Sequence, residues 1–124
     1  HTFVGHFIGS PGMNILPCNV EGDRAVFEGH ALELEGPVTG QGGDMRVGIR
    51  PEYIGLGETG VPAQLVKVAD VGRHFVLDAM VGETLVKAVT ENPPPPTGTA
   101  INLAFQPDQT RVYRDGWIAT EKRA

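Results

Sequence analysis

No Gly-Lys pair occurs anywhere in the sequence. Without the lysine that such a loop sets against a phosphate, the glycine-rich stretch Thr39-Gly40-Gln41-Gly42-Gly43-Asp44 reads as a plain surface loop. Cysteine occurs once, at Cys18, which excludes an internal disulfide and fits a reducing compartment; in its pattern Cys18 reads as a buried strand residue. Aromatic residues make up only 6% of the chain and the formal net charge is -5. Too few rings are present to stack bases, and Lys and Arg are scattered apart from Lys122-Arg123. No basic patch therefore exists to release counterions from nucleic acid or an anionic membrane. No apolar run is long enough to span a bilayer, and no charged-then-apolar leader stands at the start. The chain is expected to be soluble, and since it opens at His1 inside a helical pattern, it reads as a fragment of a longer polypeptide.

Convergent chemistry is equally sparse. His1, His6, His30 and His74 are far apart, and none has a second ligand at metal-site spacing. Ser10 lies in Gly9-Ser10-Pro11 rather than in the Gly-x-Ser-x-Gly elbow of a hydrolase. Most carboxylates alternate with apolar residues, which places them on solvated strand faces. The residues themselves thus give no catalytic centre, cofactor site or metal site.

What the chain does have is 40% hydrophobic residues in short runs, punctuated by 17 Gly and 10 Pro. This composition favours an all-β fold rich in turns, and one domain of this length can bury its own core. Leu16, Cys18 and Val20 alternate with Pro17 and Asn19; Glu21-Gly22-Asp23 turns the chain and Arg24 to Glu28 returns. Pro17 cannot donate a ladder hydrogen bond, so the first strand should lie at an edge or bulge there. Leu32 and Leu34 alternate with Glu33 and Glu35 up to Gly36-Pro37. Met45, Val47 and Ile49 alternate with Arg46, Gly48 and Arg50 in the clearest strand, which Pro51 ends. Further strands are expected over Ala63 to Val68, Phe75 to Ala79, Leu85 to Val89, Ile101 to Phe105 and Val112-Tyr113. Pro93 to Pro96 must be extended and stiff, as a rigid loop or a docking segment for a partner. About eight short strands at near-regular spacing point to a barrel or sandwich.

Ahead of these strands stands Phe3-Val4-Gly5-His6-Phe7-Ile8-Gly9-Ser10-Pro11-Gly12-Met13-Asn14. Phe3 and Phe7, and Val4 and Ile8, are each four apart, forming an apolar stripe on a short helix that Thr2 caps and Gly9 and Pro11 stop. So short a helix must bury its stripe against something. Gly9 and Gly12 permit unusual backbone angles, and Ser10 and Asn14 can tie the corner through their side chains. Arg50 is expected to fork onto residues 9 to 14 or onto Glu52.

The motif Phe-Val-x-x-Phe-Ile-Gly-Ser-Pro-x-Met-Asn resembles the junction between the nucleotide-binding domain and the C-terminal TOBE domain in ATP-binding subunits of maltose-type ABC importers. Two further motifs follow in order: Gly48-Ile49-Arg50-Pro51-Glu52, then Phe105-x-Pro107 with Val112-Tyr113-Arg114-Asp115-Gly116, where Leu-Phe-Asp is usual in place of Tyr113-Arg114-Asp115. The resemblance runs along nearly the whole chain. It implies a small OB-like (TOBE/MOP-like) barrel of about eight short strands with a short N-terminal helix. Residues 1–9 would be the end of the nucleotide-binding domain and its linker helix, and residues 10–124 the regulatory barrel.

The same resemblance implies a parent subunit at the cytoplasmic face of the membrane. That subunit would pair with a second copy of itself, dock on two permease subunits, and couple ATP hydrolysis to uptake of a sugar, polyol, glycerol or glycerol phosphate. ATP and Mg would bind in the missing domain, with no catalysis here. A regulatory protein or small effector would be received by the barrel, and no nucleic acid. The contact residues expected are Phe3, Phe7, Ser10, Pro11, Met13, Asn14, Arg50, Pro51 and Glu52. Two other classes remain open: a stand-alone barrel sensing an oxyanion or sugar, and an oligonucleotide-binding barrel, which charge and aromatic content oppose.

Overall fold

The computed structural model describes residues 7–9 and 11–123. Twelve strands are formed among them: β1 (Asn14–Pro17), β2 (Asn19–Glu21), β3 (Arg24–Phe27), β4 (His30–Glu33), β5 (Met45–Ile49), β6 (Ile54–Gly57), β7 (Val61–Asp70), β8 (Phe75–Val81), β9 (Thr84–Thr90), β10 (Ala100–Phe105), β11 (Arg111–Arg114) and β12 (Trp117–Ile118). Single 3₁₀ turns stand at Pro51–Tyr53 and Pro107–Gln109. The all-β expectation holds. Twelve strands replace about eight partly because the run expected over Leu16 to Val20 breaks at Cys18, whose N–H leaves its own strand to donate to the Met45 carbonyl at 3.3 Å.

Two compact units are present; the first takes the chain up to Ile49 and resumes at Pro107, and the second is Arg50–Gln106. In the first, an antiparallel sheet in the order β1-β5-β11-β12 accompanies a meander β2-β3-β4. β1 lies at the sheet edge with Pro17 opposite Arg46, where the missing N–H of proline costs least. Register places Leu16, Val47 and Val112 in one row, and all three are buried, as the period of two requires. Phe27, Leu32 and Leu34 add to this core.

The second unit is a five-stranded antiparallel sheet in the order β6-β10-β7-β8-β9. Its core comes from Ile54, Leu65, Leu77, Ala79, Val86, Ala88 and Leu103, each fully buried. β7 carries a bulge between Leu65 and Lys67, which bends a ten-residue strand so that the sheet can curl. Curling brings the outer strands β6 and β9 against each other without a ladder between them. The four-proline run is anchored just beyond its end, where Gly98 N–H donates to the Leu65 carbonyl at 2.7 Å and Thr99 Oγ1 to the Pro96 carbonyl at 2.6 Å.

The helix expected over residues 3–8 falls mostly outside the described residues. At Phe7 and Ile8 the structure corrects it: Phe7 forms an antiparallel bridge with Trp117, and Ile8 N–H donates to the Gly116 carbonyl at 2.6 Å. The Phe7 ring meets Trp117 edge-on, with centroids 4.7 Å apart and planes at 78°, a preferred aromatic geometry that a helical backbone here would forgo.

Candidate functional site

The motif residues of the first unit come together around one ring. Asn14, buried, pairs in register with Ile49, so the first motif is laid alongside the second. Gly48, the fourth residue of β5, has the Tyr113 ring across it: a Cβ there would lie 2.6 Å from Tyr113 Cε1 and 3.0 Å from Met13 Sδ. Gly48 is therefore a space requirement. Met13, Gly48 and Tyr113, one from each motif, form a single packed contact. Burial raises the Tyr113 hydroxyl pKa, Arg111 opposes the shift and Glu35 adds to it.

Arg50 makes the second of the two contacts expected of it, with Nε 2.9 Å from Glu52 Oε2. The hydrogen bond and charge of Glu52 raise the Arg50 pKa, and that of Glu52 is lowered in turn. Both side chains are nearly half exposed, so the pair orients the corner and adds little stability. Pro51 opens the 3₁₀ turn, and Tyr53 N–H closes it onto the Arg50 carbonyl at 3.0 Å. Of the remaining residues expected at the site, Phe7 is 61% exposed, and Pro11 is exposed in a turn. Phe3 and Ser10 lie outside the described residues.

A buried polar network escaped the sequence reading. Glu35, expected on a solvated face, is buried; its Oε1 accepts from Arg111 Nε at 3.0 Å and its Oε2 from Thr120 Oγ1 at 2.7 Å. Its backbone is also paired, donating to Thr110 and accepting from Arg123 N–H at 3.1 Å. β4 ends at Glu33, so the alternation that would have turned Glu35 outward is lost. Its partners lie 76 and 85 residues away, beyond any local pattern.

The glycine-rich loop is likewise organised from a distance. Arg114 donates to the carbonyls of Gly42, at 2.7 Å, and Thr39, while Asp115 Oδ1 accepts from Asp44 N–H at 2.9 Å. A guanidinium that donates through Nε and Nη1 to two loop carbonyls acts as a loop clamp.

Cys18 is half-buried, and burial, with Asp44 adding to it, pushes its thiol up to about 11 from the usual 9.0. Alkylation by iodoacetamide at pH 8 is expected to run about a hundredfold slower than for a free thiol, because only the thiolate attacks. A folded-state pKa above the unfolded one means that the folded chain holds its proton more tightly. The stability involved is fully present below the unfolded value and is lost as pH rises from about 9 to about 11. Tyr113, raised from its usual 10.0, shifts the same way, so urea midpoints should fall as pH rises from about 9 to about 11.

This architecture, small antiparallel sheets with tight polar corners, defines a β module of the OB type. A family model described as TOBE domain matches residues 47–112, and one described as MalK OB fold domain matches residues 9–54. The chain belongs to the TOBE domain family. It is 44% identical over 94 residues to the uncharacterized ABC transporter ATP-binding protein y4oS of Sinorhizobium fredii, covering 72% of this chain and 25% of that protein. With the sulfoquinovosyl glycerol transport ATP-binding protein SmoE of Agrobacterium fabrum, identity is 37% over 123 residues, 90% of this chain and 34% of the relative. The sn-glycerol-3-phosphate import ATP-binding protein UgpC of Escherichia coli O157:H7 is 34% identical over 119 residues, 90% of this chain and 33% of the relative. The chain thus spans between a quarter and about a third of the length of these relatives. No helix among the described residues is long and apolar enough to cross a membrane.

Proposed function

We propose that this chain is the C-terminal regulatory and dimerising part of the ATP-binding subunit of an ABC importer for a carbohydrate, polyol, glycerol or glycerol phosphate. The observation that carries this reading is similarity along 90% of the chain to one segment of such ATP-binding proteins. In the parent, ATP and Mg belong to a separate nucleotide-binding domain, of which residues 1–9 are the end. Residues 10–124 form the regulatory module, which does not hydrolyse ATP. The parent subunit sits at the cytoplasmic face of the membrane against its permease partners and converts hydrolysis into uptake.

The module's share is mechanical. A sheet pinned by ladders and by the Glu35 network holds its shape while attached domains open and close, so it can keep two subunits together and receive a regulatory protein or small effector. Phe3, Phe7, Ser10, Pro11, Met13, Asn14, Arg50, Pro51 and Glu52 supply the contacts. An exposed aromatic such as Phe7, 61% accessible and braced by Trp117, is the kind of side chain that anchors an interface.

Sedimentation equilibrium tests the dimerising role. The purified chain is expected to show a reversible monomer–dimer equilibrium in the micromolar range, with Phe7→Asp shifted toward monomer. A chain that remains monomeric at several hundred micromolar contradicts it.

A further inference from the structure

The second unit holds a groove of about 930 Å³, of whose lining residues only Glu52 enters the account above. It opens where β6 and β9 face each other without a ladder, and it is lined by Glu52, Gly55, Leu56, Arg73, His74, Val89, Thr90, Glu91 and Asn92. The volume falls within the range of small-molecule sites, roughly 300–1,000 Å³.

Its walls are stiff corners. Arg73 and His74 sit on the turn joining β7 to β8, where Val71 N–H donates to the His74 carbonyl at 3.0 Å and Gly72 N–H to Asp70 Oδ1 at 2.9 Å. Alongside, at the same end of the β8–β9 pair, Thr90 and Asn92 exchange bonds at 3.3 Å, Asn92 N–H donating to Thr90 Oγ1 and the hydroxyl donating to the Asn92 carbonyl; the four prolines begin immediately beyond. Glu52 is held by Arg50 at 2.9 Å. A backbone set in advance loses little freedom when a ligand arrives.

The chemistry of the lining is two-sided. Among the described residues, the Arg73 guanidinium and His74 imidazole have no hydrogen bond or ion pair within the protein. They form a donor wall, in which the planar fork of arginine suits a carboxylate or phosphate. Beside them on the same lining, where the register sets Phe75 against Thr90, Thr90 and Glu91, together with Glu52, offer oxygens that accept from hydroxyl groups. Leu56 and Val89, with Gly55 lacking a side chain, give a shallow apolar floor for C–H bonds. A simple anion would meet the Glu91 carboxylate, whereas a neutral sugar would leave Arg73 unused. A ligand with an anionic head and a hydroxylated tail answers both kinds of group.

We propose that this groove binds a small anionic polyhydroxy compound, its carboxylate or phosphate head on Arg73 and His74 and its hydroxyls toward Thr90, Glu91 and Glu52. The site stands on the groove alone, and only the word effector, for its occupant, rests on the regulatory reading above.

Two-dimensional NMR of the whole chain, titrated with gluconate, glucose 6-phosphate and neutral glucose, tests the assignment. At least one anion should shift the amides of Arg73 to Phe75 and Thr90 to Asn92 saturably, with glucose binding at least tenfold more weakly. Arg73→Gln should weaken the anion by about tenfold at an unchanged melting temperature, since Arg73 has no partner to lose. Response to gluconate alone assigns the site to sugar acids, to glucose 6-phosphate alone to sugar phosphates, and to both to the shared chemistry. No saturable shift at tens of millimolar, equal binding of glucose, shifts confined to other residues, or an indifferent Arg73→Gln each overturns it. Sedimentation is a separate readout, so failure of the groove leaves the dimerising role to be judged by its own result.

Discussion

Replacing Gly36 by Ala is expected to destabilise the first unit more than any other substitution of one methyl group. Its Cβ would fall inside the backbone carbonyl of Glu121, and 3.3 Å from Arg123 N. No side-chain rotation relieves a clash between two main chains. Around this contact the chain from residue 35 to 39 runs antiparallel to residues 119 to 123: Thr39 N–H donates to Ala119 at 2.7 Å, Val38 bridges Thr120, Glu121 N–H donates to Pro37 at 2.9 Å, and Arg123 N–H to Glu35 at 3.1 Å. Separating the two segments forfeits two or three of these bonds, each worth about 1 kcal/mol net, on top of overpacking strain of about 1–3 kcal/mol. The expected loss is about 3–4 kcal/mol, read by urea denaturation. Hydrogen exchange at Glu121 and Arg123 should accelerate most. Gly55→Ala serves as the control, because a Cβ there meets nothing within 4 Å.

Cutting the charge partner of Glu35 should have the second largest effect. The Glu35 side chain is 4% exposed while that of Arg111 is 31% exposed. Arg111→Met would leave a carboxylate buried with only the Thr120 hydroxyl against it. Breaking a buried pair from one side costs about 3–5 kcal/mol. Partial exposure of Arg111 lets water take over some of its role, so about 2–3 kcal/mol is expected, or a fall in melting temperature near 10 °C. The double variant Glu35→Gln/Arg111→Met should lose less than the sum of the single changes, by about 1 kcal/mol or more. Additive losses would mean that the two side chains do not interact across this contact.

These two sites mark where the sequence stopped being legible. β5 could be read because all of its alternating residues obey one period, and the hairpin turn at Gly22 because its chemistry is local. β6 could not: Ile54-Gly55-Leu56-Gly57 has half its positions in a residue depleted from strands, and pairing with β10 from Phe105 to Asn102 makes it one. Pro51 was readable as a strand stop. That the chain passes between two compact units beside it and beside Pro107 was not, because no linker of distinctive composition separates Ile49 from Arg50 or Gln106 from Pro107.

The motif residues were legible in the sequence, but their geometry was not. Gly48 looked like one member of an alternating strand, and its purpose becomes visible only with the Tyr113 ring lying over it. Tyr113 and Met13 both close on Gly48 across that face. The groove beside β9 was invisible for the same reason: Arg73-His74 and Thr90-Glu91-Asn92 are separated in sequence, and the sheet register, with Phe75 opposite Thr90, brings them level.

The central claim, that this chain is one part of a transport ATPase subunit, is tested most directly by the size and content of the native polypeptide. Antibody raised against the 13.2 kDa chain would be used to immunoprecipitate the protein from cells that encode it. If the chain is a quarter to about a third of its parent, as with its relatives, the captured polypeptide should be three to four times larger and yield peptides of a phosphate-loop ATPase. A single 13 kDa species with no such peptides would contradict the account.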